Sequence, residues 1–340
     1  MPALRHSSDR EPGYTRRRHG RGERYLDERG RQVRDPRVVR RLKALAIPPA
    51  WREVWICCSS RGHLQATGID AAGRKQYLYH PAWREERDRE KYARILRFAD
   101  RLPALRATAE RHMRRRRLDR DKALATAVHL LDRTFIRVGG EEYAASSRTF
   151  GLVTFRSRHL TVEDDLIVLD FEGKGGAGQH AEVESARLAR VLQEMDDLPG
   201  YEVLKYRDGD GTVVDVRSED VNAYIQEHAG EEFSAKDFRT WAGTVAAAVA
   251  LDEVGPVEGA RHRQRAVAGV CRQAAALLGN TPAVCRANYI DPRVIDHFLD
   301  GRTISSLRAE VERRLERGRS PEEVAVLALL RRGLEERAAA

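Results

Sequence analysis

Five side chains follow one another along this chain in an order that could handle a phosphodiester: Arg137, Lys174, Arg239, Asn280 and Tyr289. A guanidinium forks two hydrogen bonds onto non-bridging phosphate oxygens, a geometry that an ammonium cannot copy. An asparagine amide donates to such an oxygen and cannot titrate. A tyrosine hydroxyl can attack phosphorus, but a phenol ordinarily ionises only near pH ~10, so the attack needs cations close by. Two arginines, a lysine and a neutral donor ahead of a late tyrosine therefore point to transfer of a phosphodiester onto the tyrosine.

Each residue also has an ordinary reading. The apolar period predicts a helix over 120–138, placing Arg133 and Arg137 on one face at i and i+4, with Gly139-Gly140 as the stop. An arginine there can simply be solvated or salt-bridged. Ser234 can cap a helix over 234–251, where Lys236 and Arg239 share a face at i and i+3. Two cations with few carboxylates near in sequence suit a phosphate; the plain alternative is a basic helix face. Lys174 lies in Gly173-Lys174-Gly175-Gly176-Ala177-Gly178, a match to G-x-G-x-x-G. No helix pattern follows, and no acidic residue is suitably placed beyond it for a dinucleotide. The Ser/Thr of a P-loop and the kinase HRD and DFG motifs are missing too. What remains is a flexible hairpin tip between strands at Leu166–Phe171 and His180–Val183. Asn280 precedes Thr281-Pro282, a helix start with Thr as cap and Pro in the first turn, and could be a turn residue. Tyr289 falls late in that helix, over 282–290, which Pro292 limits. Out of context such a tyrosine packs in a core.

Three segments carry a family resemblance. They are Arg137-Val138-Gly139 leading to Tyr143 and Gly151-Leu152-Val153-Thr154, Lys236-Asp237-Phe238-Arg239-Thr240, and Asn280-Thr281-Pro282 leading to Tyr289. In these the sequence resembles the type IB DNA topoisomerases, in their poxvirus and bacterial branch, from about Asp35 to about Asp300. The resemblance implies Tyr289 as nucleophile, with Arg137, Arg239 and Asn280 on the non-bridging oxygens. It implies Lys174 as general acid on the leaving 5′ oxygen and a 3′-phosphotyrosyl intermediate. Relaxation of both signs of supercoil would then need no ATP, metal or cofactor. The family often has histidine where this chain has Asn280, so proton transfer at that position is excluded here. A second resemblance, to the family's N-terminal clamp, runs through Leu64–Asp70 and Gly73–Tyr79. It implies that Gln76, Tyr77 and Tyr79 touch DNA; strand alternation puts the two tyrosines on one face. Their ordinary reading is a small core. A tyrosine recombinase has a similar residue set, but its second arginine belongs to His-x-x-Arg, and Lys236 stands at that histidine here. A noncatalytic DNA-packaging protein is the rival of another class.

The elements that must position these residues predict an α+β chain. Residues 1–34 mix Arg, Gly and Pro with little apolar period and read as a basic disordered arm. Residues 35–82 read as a β-rich domain with a short helix at 38–46 and three strands. Residues 83–340 read as a mainly helical catalytic domain with an inserted β-hairpin; its first helices span 84–101 and 103–117. The last stretch, 301–340, shows a charged amphipathic helix and no motif. The net charge of +9 favours an anionic partner, yet residues 1–45 hold 14 Lys/Arg against 6 Asp/Glu and so carry eight of those charges. The four cysteines form no CxxC and read as reduced thiols. No apolar run approaches the roughly 20 residues of a membrane span. The expectation is a monomeric cytoplasmic, nucleoid-associated protein acting on double-stranded DNA, with no nucleotide and no membrane.

Overall fold

Asp35-Pro36 starts a helix as its chemistry requires. The Asp35 carboxylate accepts the Arg37 N–H, and Pro36, with no N–H to lose, opens the first turn. This helix, α1 (Pro36–Ala44), buries Leu42 against a five-stranded antiparallel sheet. The strands are β1 (Gly13–His19), β2 (Gly22–Leu26), β3 (Arg52–Cys57), β4 (Leu64–Ile69) and β5 (Lys75–Tyr79), in the order β2-β1-β3-β4-β5. Tyr25, Ile47, Val54, Ile56 and Ala66 complete the core of this unit. The computed structural model describes residues 3–19, 22–140, 148–307, 311 and 317–339. Its contacts divide the chain into two units, Met1–Tyr92 and Ala93–Ala340. The division falls ten residues beyond the boundary expected after residue 82.

The expected disordered arm is a correction. Within residues 1–34, β1 pairs with β3 and β2 pairs with β1. The arginines misled because one of them is structural. The Arg16 guanidinium donates to the carbonyls of Ile47, Pro48 and Trp51 at 2.8–2.9 Å and pairs with Glu23, its side chain only 6% exposed. Further upstream, buried Ser7 donates through its N–H to His63 Nδ1 at 3.0 Å and through its hydroxyl to the Leu64 carbonyl. Backbone pairing does not need an apolar sequence, so composition missed it.

In the second unit α2 (Pro81–Met113, beginning in the first) is one helix where two were expected. Proline costs a helix the hydrogen bond to the carbonyl four residues back. Pro103 orphans the Ala99 carbonyl, and Arg319 Nη2 supplies the missing donor at 2.9 Å. Next come α3 (Arg120–Thr134) and a three-stranded antiparallel sheet of β6 (Leu160–Glu163), β7 (Leu166–Gly173) and β8 (Ala177–Glu184). Helices α4 (Ala186–Asp196), α5 (Ser218–Ala229), α6 (Ala235–Val254) and α7 (Ala260–Leu277) follow. A short ribbon, β9 (Lys205–Arg207) with β10 (Val213–Asp215), interrupts them and was not foreseen. The chain closes with α8 (Pro282–Asn288), α9 (Pro292–Leu299) and α10 (Pro321–Ala339). The architecture is α+β, a β-rich N-terminal region ahead of a mainly helical part with an inserted β-hairpin. No helix among the described residues is long and apolar enough to cross a membrane.

A buried ionic knot gives the unread C-terminal stretch a role. Arg106 on α2 forks onto Asp132 of α3 at 2.8 and 2.9 Å and onto Glu323 of α10 at 2.7 and 2.9 Å. Glu323 also accepts Trp241 Nε1 of α6 at 2.8 Å. Burial alone would push the Glu323 carboxyl up, but Arg106, the Ser320 N–H and Trp241 together hold it below the usual carboxylate range. A lowered folded-state pKa contributes stability that is present above the unfolded value and lost as pH falls through the folded one. Glu323→Ala should therefore cost about 3 kcal/mol near neutrality, because it strands one arm of Arg106 and the indole N–H. In thermal unfolding the gap from wild type should shrink once the pH is below about 4.3. A gap that stays constant with pH would show that the carboxylate's charge contributes nothing.

Candidate active site

Arg137 is not on a helix. The chain leaves α3 at Phe135, whose φ of 54° is left-handed and unfavourable for a bulky residue by about 1–3 kcal/mol. What holds it there is distant: the Phe135 carbonyl accepts Arg239 Nη1 from α6. The expected helical face shared by Arg133 and Arg137 therefore does not form, and Gly139-Gly140 is not the stop. Gly139 instead permits a crossing. A Cβ on it would lie 2.8 Å from the Gly151 Cα, and the strands of chain are tied by Leu152 N–H to the Arg137 carbonyl and Val153 N–H to the Val138 carbonyl. These contacts bring Arg137-Val138-Gly139 and Gly151-Leu152-Val153 together in space.

The side chains then converge on the turn after α7. Arg239, only 3% exposed, donates through Nη2 to the Leu278 carbonyl at 2.6 Å. Arg137 Nη2 donates to the Gly279 carbonyl at 3.0 Å and to Asn280 Oδ1. An arginine has no acceptor, so this contact fixes the amide: the oxygen faces Arg137 and Nδ2 is the remaining donor. Asn280 Nδ2 and Arg239 Nε are both buried and have no hydrogen-bond partner. Burial pulls the Arg239 pKa down and the Arg137 charge adds to that, while the Tyr289 hydroxyl opposes them. Among the described residues no carboxylate pairs with either guanidinium. Leaving buried donors unmatched costs about 1–3 kcal/mol each, so the arrangement is built for an anion.

Tyr289 closes the constellation. Thr281 caps α8 and Pro282 opens it as expected, but the helix ends at Asn288 and Tyr289 is its cap residue. Its ring lies 5.2 Å from the Arg239 guanidinium carbon. Its backbone lies against α6: Thr244 Oγ1 donates to the Thr240 carbonyl of its own helix at 2.8 Å, accepts the Asp291 N–H at 3.1 Å and comes within 3.3 Å of the Tyr289 carbonyl. Thr244 was missed in the sequence, where a threonine inside an alanine-rich helix carries no signal. Beneath the tyrosine, burial pushes the Cys285 thiol up to about 11, so it is no rival nucleophile at neutral pH.

Lys174 is exposed at the tip between β7 and β8, and it lines a cavity of about 200 Å³ together with Arg137, Phe150 and Gln179. Lys236 differs from expectation. It stays at the surface while Arg239 turns inward, so the two do not form one cationic face. In the β-rich unit Tyr77 is 46% exposed and stacks near Tyr79, ring centroids 6.2 Å apart, outside the core. The small-core alternative therefore does not hold for Tyr77, while Tyr79 is half-buried with its ring centroid 6.1 Å from that of buried His63. Gln76 donates to Asp70 at 2.9 Å. Tyr143 lies outside the described residues.

Sequence comparison places the chain in a family. Residues 80–316 match the profile of the family described as eukaryotic DNA topoisomerase I, catalytic core, and residues 22–70 that of the bacterial DNA topoisomerase IB N-terminal domain. The chain belongs to the type IB DNA topoisomerase family, whose members are isomerases. It is 27% identical over 259 residues to DNA topoisomerase 1B of Acanthamoeba polyphaga mimivirus, covering 74% of this chain and 77% of that one. DNA topoisomerase 1B of vaccinia virus (strain Copenhagen) is 22% identical over 241 residues, 68% of this chain and 72% of the viral one. The N-terminal match begins at residue 22, inside the segment that composition had read as disordered.

Proposed function

We propose that this protein relaxes positive and negative supercoils by cutting one strand of duplex DNA through Tyr289, letting the free strand rotate, and resealing it. The reading rests above all on the fixed Asn280 amide: Arg137 holds its oxygen, and a buried, unpartnered N–H beside two guanidinium groups that pair with no carboxylate among the described residues fits a phosphate oxygen. In the forward step the Tyr289 oxygen bonds to phosphorus and the 5′ oxygen departs. The phenol proton is released to water, and Lys174 gives a proton to the leaving oxygen. Arg137, Arg239 and Asn280 hold the non-bridging oxygens while charge builds on them. The 3′-phosphotyrosyl polarity follows the family resemblance. Because the phosphotyrosine keeps the energy of the cleaved bond, attack by the 5′ hydroxyl reverses the step with no ATP. Gln76, Tyr77, Tyr79 and Lys236 contact the duplex outside the reacting phosphate. In the same proposal the protein acts as a monomer on the nucleoid in the cytoplasm.

Negatively and positively supercoiled plasmids, incubated separately with the protein in EDTA and without ATP, should both relax. Abolition by EDTA, or relaxation of one sign only, would overturn the proposal. Firm DNA binding without relaxation or a covalent adduct would leave the packaging reading.

A further inference from the structure

The general acid proposed above sits on the least constrained part of the centre. Gly175 and Gly176 have φ of 79° and 74°, and a Cβ on either, or on Gly178, would meet nothing within 4 Å. Such a tip can place an ammonium in many positions, whereas proton transfer needs one. The other groups have no such freedom. Arg239 is tied to the Leu278 carbonyl, Arg137 to the Gly279 carbonyl and Asn280, and the Asn280 N–H to the Ala275 carbonyl at 2.9 Å. The turn 278–280 is thus the frame on which the phosphate-facing groups are mounted.

One side chain joins the loose tip to this frame. Gln179 on β8 pairs across the hairpin with Phe171 and lies half-buried over Gly173, where a Cβ would come within 2.6 Å of Gln179 Cγ. Its carboxamide reaches Gly279 so closely that a Cβ there would lie 2.5 Å from Nε2 and 3.1 Å from Oε1. Nε2 also donates to the Gly178 carbonyl at 3.0 Å, holding the side chain to its own hairpin. Neither glycine could be replaced without displacing Gln179, and Gly279, with φ of 56°, resists replacement on backbone grounds as well. A glutamine filling the gap between two glycines, one preceding Lys174 and the other preceding Asn280, acts as a key between the two elements.

We infer that Gln179 is a positioning residue that sets the Lys174 hairpin in register with the 278–280 turn, and so with the phosphate held there. This rests on the general-acid reading of Lys174, and the test separates the two. The reaction is single-turnover cleavage by the full chain, at a site mapped beforehand by covalent trapping with wild type. It is run on duplexes whose bridging 5′ atom at that site is oxygen or sulfur. A thiolate leaves without a proton, so sulfur removes the need for the acid. Lys174→Ala should lose about 10²–10⁴-fold on oxygen and recover on sulfur. Gln179→Ala should lose up to about 10²-fold on oxygen, the scale of a small misplacement, and recover on sulfur in the same way. Gln179→Met, which keeps the length and shape of the key, should stay near the wild-type rate on both. Equal loss on oxygen and sulfur for Gln179→Ala, or no loss at all, overturns the inference while Lys174→Ala is still rescued. Failure of sulfur to rescue Lys174→Ala overturns the acid assignment and the Gln179 inference with it.

Discussion

Tyr289→Phe should abolish covalent attachment to DNA and plasmid relaxation while leaving DNA binding intact. The expected loss is on the order of 10⁶-fold, the scale seen when a covalent nucleophile is removed from other enzymes. The substitution is a clean one in this setting. The phenyl ring keeps its place 5.2 Å from the Arg239 guanidinium, and the backbone is held by the Tyr289 N–H on the Cys285 carbonyl and the Asp291 N–H on Thr244, whichever ring is attached. Cys285, four residues before Tyr289, is buried and its thiol is pushed up to about 11, so it does not take over. The measurement is denaturing-gel detection of protein joined to labelled DNA, with relaxation assayed in parallel. Persistent adduct in the variant would move the nucleophile elsewhere; persistent relaxation without any adduct would end the transesterification reading.

Arg239→Lys should be nearly as damaging as loss of the side chain, despite keeping the charge. A guanidinium here makes two structural hydrogen bonds, to the Phe135 and Leu278 carbonyls, and keeps Nε unpartnered. An ammonium is a compact point charge and cannot span those positions. Losing one preorganised donor of this kind costs about 10²–10³-fold in rate. The carbonyls left behind should lower stability by about 1–3 kcal/mol as well, so the assay belongs at a temperature well below the variant's melting point. At saturating DNA the cleavage rate should fall while DNA affinity changes little, since the contact is strongest once charge develops on the phosphate. An effect confined to affinity would make Arg239 a ground-state phosphate clamp. Full activity in the lysine variant would remove it from the site.

Much of this protein is legible in its residues taken in order. Asp35-Pro36 and Thr281-Pro282 start helices because a capping oxygen and a missing N–H act within one turn. The strands near 52–57, 64–69 and 75–79 and the Lys174 hairpin follow from alternation and turn glycines. The residue types of Arg137, Lys174, Arg239, Asn280 and Tyr289 define a chemistry wherever they sit, and family motifs carry their order.

What only the tertiary structure decided involves partners far apart in the chain. Phe135 ends α3 early because a guanidinium 104 residues away donates to its carbonyl. Pro103 leaves α2 unbroken because Arg319, 216 positions later, serves the carbonyl that proline orphans. The arginine-rich N-terminal segment joins a sheet because Arg16 satisfies three carbonyls between Ile47 and Trp51. Lys236 and Arg239 look alike in sequence, but burial separates them. Gln179 gains its meaning only where Gly173 and Gly279 are brought together. In each instance a long-range hydrogen bond or a packing contact outweighs a local preference of about 1–3 kcal/mol, and local patterns hold no information about where that distant partner will be.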